Sequence, residues 1–157
     1  MGEKSEKLPS WLKPVALQPK YQLTHEAVKD LLKKAFPDCP LWLLDGRYWA
    51  TNYQLVKFIL HQVDAIDMRK YEEDAFDCDD FALALMALWR VHYGLNTIFF
   101  AAGDTPFGPH AFNLAVADPV GKGESFQVYF IEPQTDGIWG LGENGKRFKY
   151  KPVFIMG

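Results

Sequence analysis

The chain has 157 residues, enough for one domain with a proper core and too few for two comfortable ones. Its 48% hydrophobic and 24% charged residues are ordinary for a globular chain, and a net charge of −3 gives no global electrostatic case for nucleic acid. No stretch approaches the length of a membrane span and the N-terminal MGEKSEKLPS lacks a signal-peptide apolar core, so a cytoplasmic protein with no membrane partner is expected.

Residues 1–20 carry Pro9, Pro14 and Pro19 and predict an extended arm, anchored by Trp11, Leu12, Val15 and Leu17. Residues 21–157 form one domain. Thr24 reads as the N-cap of a helix from His25 to Phe36, with Val28, Leu31 and Leu32 inward and Pro37 as its stop. His25 in the first turn is expected at the surface. Leu41 to Leu44 read as a short buried segment before the turn Asp45-Gly46-Arg47. Thr51 and Gln54 have capping-box spacing for a second helix reaching Val63.

An acidic connection from Asp64 to Asp77 leads into Cys78-Asp79-Asp80 and the apolar run Phe81 to Trp89, a helix packed on nearly all sides. Asp77 serves as its N-cap and Gly94 ends it. Asn96 to Ala102 read as a strand, and Gly103 to Pro109 as a turn-rich loop delivering His110. His110 to Ala117 and Phe126 to Glu132 read as a hairpin, and Glu143 to Lys146 as the turn before a terminal strand, Arg147 to Phe154. Helices followed by antiparallel strands give an α+β fold.

A hairpin loop centred on Gly121 sets His110 opposite Glu132, with Cβ atoms roughly 5 Å apart, at one end of an otherwise apolar face. A slip of one residue would separate them. Cys78, as the first residue of its helix, gains from the helix dipole in the thiolate form. A thiol, an imidazole base and a carboxylate that orients the imidazole make a nucleophilic triad. Taken singly, each has a plainer reading: a packed Cys, a strand-end His, an exposed carboxylate. The 15% aromatic content fits a dense core or an aromatic-lined groove. Asp77, Asp79 and Asp80 crowd around the thiol, and a bound Ca²⁺ would neutralise them. No CxxC or Cys/His zinc spacing occurs, and Cys39 lies in a turn.

Phe76-Asp77-Cys78-Asp79-Asp80-Phe81-Ala82, Gly108-Pro109-His110-Ala111-Phe112-Asn113 and Glu132-Pro133-Gln134 together resemble the three active-site blocks of the protease domain in the family of the Marasmius oreades agglutinin. That domain is a papain-like, calcium-activated cysteine protease joined to a lectin. Transglutaminase-like and NlpC/P60-like peptidases share the bare Cys, His, acid order. The resemblance implies Cys78 as nucleophile, His110 as base and Glu132 as orienting residue. It matches Asp79, Asp80 and Gln134 to polar positions around the calcium. It implies a papain-like or transglutaminase-like fold, with the Cys-bearing helix packed on an antiparallel sheet. The function then expected is a cysteine peptidase or amidase acting on a peptide or protein through a thioester. A transglutaminase-like acyltransferase and a catalytically inactive binding module on the same fold are the alternatives.

Overall fold

Strand β5 (Gly108–Ala117) runs through the middle of a six-stranded sheet, and its alternation divides the hydrophobic interior in two. Phe112, Leu114 and Val116 point to one face, with Val28 and Leu32 of helix α1 (His25–Ala35). Ala115 and Ala117 point to the other, with Val56 and Ile59 of α2 (Tyr53–Leu60) and Phe81 and Leu85 of α3 (Cys78–Leu88). Strand residues alternate faces, so a strand covered on both sides reads as a continuous apolar run, as Ala111 to Ala117 do apart from Asn113. Asn113 faces α3, where its side-chain amide donates to Ala82 O at 2.9 Å and to Phe99 O at 3.2 Å. One fully buried side chain thus ties the α3 backbone to two strands.

This is a computed structural model, describing residues 14–62 and 70–157. The other elements are β1 (Tyr21–Thr24), β2 (Leu41–Trp42), β3 (Arg47–Ala50), a π-helical turn (Trp89–Tyr93), β4 (Ile98–Thr105), β6 (Gln127–Glu132), β7 (Gly137–Gly140), the short helix α4 (Leu141–Asn144) and β8 (Lys151–Met156). The large sheet has the order β2-β8-β4-β5-β6-β7, and β1 pairs with β3 in a small second sheet. The expected α+β class holds in its coarse form, a mixed fold with more sheet than helix. The sheet is not wholly antiparallel, because β2 runs parallel to β8.

Local chemistry accounts for most boundaries. Thr24 Oγ1 accepts from Ala27 N at 3.1 Å and starts α1, and Gly94 at φ +61° closes the π-helical turn. Helix α2 is capped by Asn52, whose Oδ1 accepts from Leu55 N at 2.8 Å. The expected cap, Thr51, instead donates to Pro19 O at 2.6 Å. That bond fixes the described part of the arm, together with Val15 N donating to His92 O and Leu17 packing on the core. Trp11, Leu12 and part of the acidic connection lie outside the described residues.

Four further expectations are corrected. Trp42 and Leu44 are 63% and 68% exposed, because β2 is an edge strand and Leu44 lies beyond its end. The loop from Gly103 to Pro109 is strand up to a two-residue turn at Pro106-Phe107. The Cys78 helix leaves Leu83 and Ala87 exposed on its outer face. No hairpin forms at Glu143 to Lys146. There Asn144 accepts from Trp139 Nε1 and binds both main-chain groups of Tyr150, so the chain turns away and β8 joins β4 at the far side of the sheet. Gly103 permits that join at a bulge, where a Cβ would stand 2.0 Å from Lys151 O.

The loop between β5 and β6 is organised by Asp118, a buried carboxylate accepting from the main-chain N–H groups of Val120 and Gly123. Burial works against its charge, but these bonds outweigh burial and hold its carboxyl below the usual range. Its folded pKa is depressed, so its contribution is complete above the unfolded pKa of about 3.9 and is lost as pH falls through the folded value. Stability of the wild type, measured by urea unfolding, is expected to fall between pH 6 and pH 3 more steeply than that of Asp118→Asn, which is less stable at pH 6. Asn113→Ala removes two buried hydrogen bonds and is expected to cost about 2 kcal/mol in the same assay.

Candidate functional site

The β5–β6 ladder pairs Leu114 with Phe130 and Asn113 with Ile131. Continued outward, this register sets His110 across from Gln134 rather than Glu132, a displacement of two residues from the expected pairing. An even displacement keeps both side chains on the same face, where diagonal neighbours remain within reach. His110 Nε2 and Glu132 Oε2 are accordingly 2.6 Å apart.

Glu132 is only 8% exposed and its charge is well met. Tyr150 OH donates to Oε2 at 3.1 Å and Gln134 N donates to Oε1 at 3.3 Å. Burial, with the charge and hydrogen bond of Glu132, pushes the Tyr150 hydroxyl up to about 12, so it stays a donor at any working pH. Tyr150 also stands edge-on to His110. It is a member of the site that the sequence reading missed. The signal was the aromatic-rich C-terminal stretch, but nothing local shows which of its rings returns to Glu132.

Cys78 is partly exposed at the start of α3, as expected. It shares a cleft of about 330 Å³ with His110, Gly103, Asp104 and Val153. Among the described residues no hydrogen bond joins its thiol to the imidazole. By the alternation of β5, His110 belongs to the Phe112 face, whereas the body of α3 packs on the opposite face through Asn113. The structure therefore brings His110 and Glu132 together directly and places Cys78 beside them only across the strand end.

Asp80 is engaged in the helix cap, its Oδ2 accepting from Asp77 N at 3.3 Å. Gln134 lines a different cleft, next to His110. The side chains that gather with metal-ligand spacing are Asp77, Cys78 and Asp79, whose ligand atoms lie within 4.8 Å of one another. Asp79 is held above the usual carboxylate range, chiefly by a hydrogen bond to the Asp77 side chain. Asp77 Oδ1 is buried without a hydrogen-bond partner.

On the far side of Glu132 lies a larger cleft of about 640 Å³. Trp139 forms its floor, stacked between Phe130 at 5.8 Å and Phe148 at 4.2 Å. Arg147 lies 5.8 Å over the Phe148 ring, and Glu143 and Phe107 complete the rim. Trp139 and Phe148 were read in sequence only as part of an aromatic-rich terminus.

No family model matches this chain, and no curated protein matches it. Its fold is shared with solved structures. One is the PSL1a-E64 complex, 23% identical, with a TM-score of 0.67 over 87% of this chain and 50% of that one. Another is a Polyporus squamosus lectin bound to the human-type influenza-binding epitope Neu5Acα2-6Galβ1-4GlcNAc, 22% identical, with a TM-score of 0.65 over 87% of this chain and 49% of that one. The chain thus spans about half the length of these relatives, and the likeness is one of fold. The second of these structures is a lectin, and that finding does not support the expected hydrolase. The cysteine peptidase expected from the sequence is therefore withdrawn, together with its thioester chemistry, its acyltransferase variant and its peptide substrate.

Proposed function

We propose that this chain is a carbohydrate-binding module on a mixed α+β scaffold, without hydrolase activity. The observation that carries the reading is the aromatic groove of about 640 Å³ between Trp139, Phe148 and Phe107, with Glu132, Glu143 and Arg147 around it. Aromatic faces pack against the C–H surfaces of sugar rings, and fixed carboxylates and a guanidinium supply directed hydrogen bonds to hydroxyl or acid groups. A concave, mostly apolar site with a few convergent polar groups is the usual form of a small-ligand pocket. The glycan named with the Polyporus squamosus lectin supports the ligand class, and the papain-like description of the scaffold belongs to the same proposal.

In this reading Glu132 and Tyr150 form a polar wall of the groove, and His110 braces Glu132. Calcium fits the Asp77 and Asp79 side chains. Two carboxylates in mutual hydrogen bonding need either a shared proton or a cation, and the unpartnered Asp77 Oδ1 is available to one. Asp80, occupied in the cap, and Gln134, in the neighbouring cleft, stand outside that set. No helix among the described residues is long and apolar enough to cross a membrane.

Titration calorimetry with Neu5Acα2-6Galβ1-4GlcNAc, alongside a glycan array, is expected to detect binding that Phe148→Ala weakens roughly tenfold. Absence of any glycan ligand contradicts the reading. Iodoacetamide and E64 provide the opposing test by mass spectrometry: Cys78 is expected to react no faster than an ordinary free thiol and to form no E64 adduct. A stoichiometric adduct at Cys78 would restore the nucleophile. Thermal unfolding with added Ca²⁺ is expected to shift upward relative to EDTA, and Asp79→Asn to abolish the shift. An unchanged melting temperature removes calcium from the account.

A further inference from the structure

Strand β2 ends the large sheet, and its outer side meets no other strand among the described residues. Pro40 O, Trp42 O and Leu44 N turn inward: they bond Ile155 N at 3.1 Å, Gly157 N at 3.0 Å and Gly157 O at 2.8 Å. Main-chain groups alternate sides along an extended strand, so Leu41 and Leu43 turn their N–H and C=O groups outward. Among the described residues those groups have no hydrogen-bond partner. Lys33 Nζ takes up Cys39 O at 2.8 Å, which limits the free edge to Leu41 and Leu43. Proteins usually blunt such an edge with charge or proline, or cover it. Here Cys39 to Leu44 carry no charge, and Asp45, the first acid beyond, is held by Arg90 at 2.7 Å. Pro40 stands at an inward position, so the outer side loses no donor to it.

The side chains repeat the pattern. Leu41 and Leu43 pack on the core with α1, whereas Trp42 and Leu44 turn to the opposite face and stay mostly exposed. Helix α3, on that opposite face, packs chiefly on β4 and β5 and leaves the β2 end uncovered. Trp42 leans edge-on against Phe154 of β8 at 5.9 Å, which fixes the indole beside the open edge. An indole and an isobutyl group in water, next to an uncharged strand with free donors and acceptors, favour burial against a matching surface.

We propose that β2 is a self-association surface whose occupant is the β2 strand of a second copy, paired antiparallel about a two-fold axis at Trp42. In that register Leu41 of each copy faces Leu43 of the other, and four N–H···O bonds answer every outward group. An edge without charge meets no repulsion from its own copy. The joined sheet runs from β7 of one copy to β7 of the other, so the aromatic groove stays open at each end and the inference does not rest on the carbohydrate reading. The contact is small, so reversible association in the micromolar range is expected rather than an obligate dimer. Sedimentation velocity of the intact chain from about 1 to about 500 μM is expected to show that dimer, weakened at least roughly tenfold by Trp42→Lys and by Leu44→Lys. Both residues are mostly exposed, so neither change disturbs the core. Oxidative cross-linking in a Cys78→Ser background reads the register. Trp42→Cys meets itself across the axis and is expected to form an intermolecular disulfide, whereas Leu44→Cys, about 14 Å from its counterpart, is not. A monomer throughout that range, a dimer indifferent to both lysines, or a Leu44→Cys cross-link as ready as that of Trp42→Cys overturns the inference. Slow amide exchange at Leu41 and Leu43 in the dilute monomer shows the edge covered within one chain, and overturns it as well.

Discussion

The alternation of β5 is the constraint on which the rest of the molecule depends. Each of its side chains is committed to one face, so one strand supplies both hydrophobic clusters and, through Asn113, anchors α3 from below. The same parity carries outward past the last β6 pairing and decides which face receives His110. Sheet geometry permits no intermediate position, since a side chain belongs to one face or the other. The imidazole therefore joins Glu132 and Tyr150, with Phe112 beneath them, while the body of α3 packs on the opposite face and Cys78 at its start lines a cleft with His110.

The Glu132 carboxylate shows how the polar wall is made rigid. A buried charge is tolerated only when its lone pairs are answered, and here an imidazole, a phenol and a main-chain N–H do so. The groups come from β5, from the turn after β6 and from the segment before β8, so the site closes only when the last strand has crossed the sheet. The aromatic stack of Phe130, Trp139 and Phe148 extends that wall without polar gaps, because Asn144 takes up the indole N–H. Polar wall and aromatic floor together make a surface that holds its shape before any ligand arrives, which limits the entropy lost on binding.

Much of this was legible in the amino-acid sequence, and what was missed was non-local. The caps at Thr24 and Asp77, the apolar run of α3 and the His110 and Glu132 pairing follow from side-chain chemistry within a few residues or from period-two alternation. The displaced register does not. It depends on how Asp118 gathers the main chain of its loop, with Gly121 and Gly123 in left-handed conformations, and spacing alone gives no measure of that. Asn52 displaced Thr51 as a cap because Thr51 had a distant partner in Pro19. Tyr150 reaches Glu132 only because Asn144 defeats a local hairpin signal. The functional reading changed on the fold comparison, since Cys, His and Glu in the right order do not by themselves specify an activity.

The most direct measurement is a two-dimensional ¹H–¹⁵N spectrum of the intact chain during addition of Neu5Acα2-6Galβ1-4GlcNAc. The Trp139 indole N–H, bonded to Asn144 at the floor of the groove, is the reporter. The account predicts saturable shifts at Trp139 Nε1–H and at Phe148, with Val56 and Ile59 of α2, on the other face of the sheet, unmoved. Shifts that fall elsewhere or never saturate, in a protein whose Cys78 is stoichiometrically modified by E64, would contradict it and return the molecule to thiol chemistry.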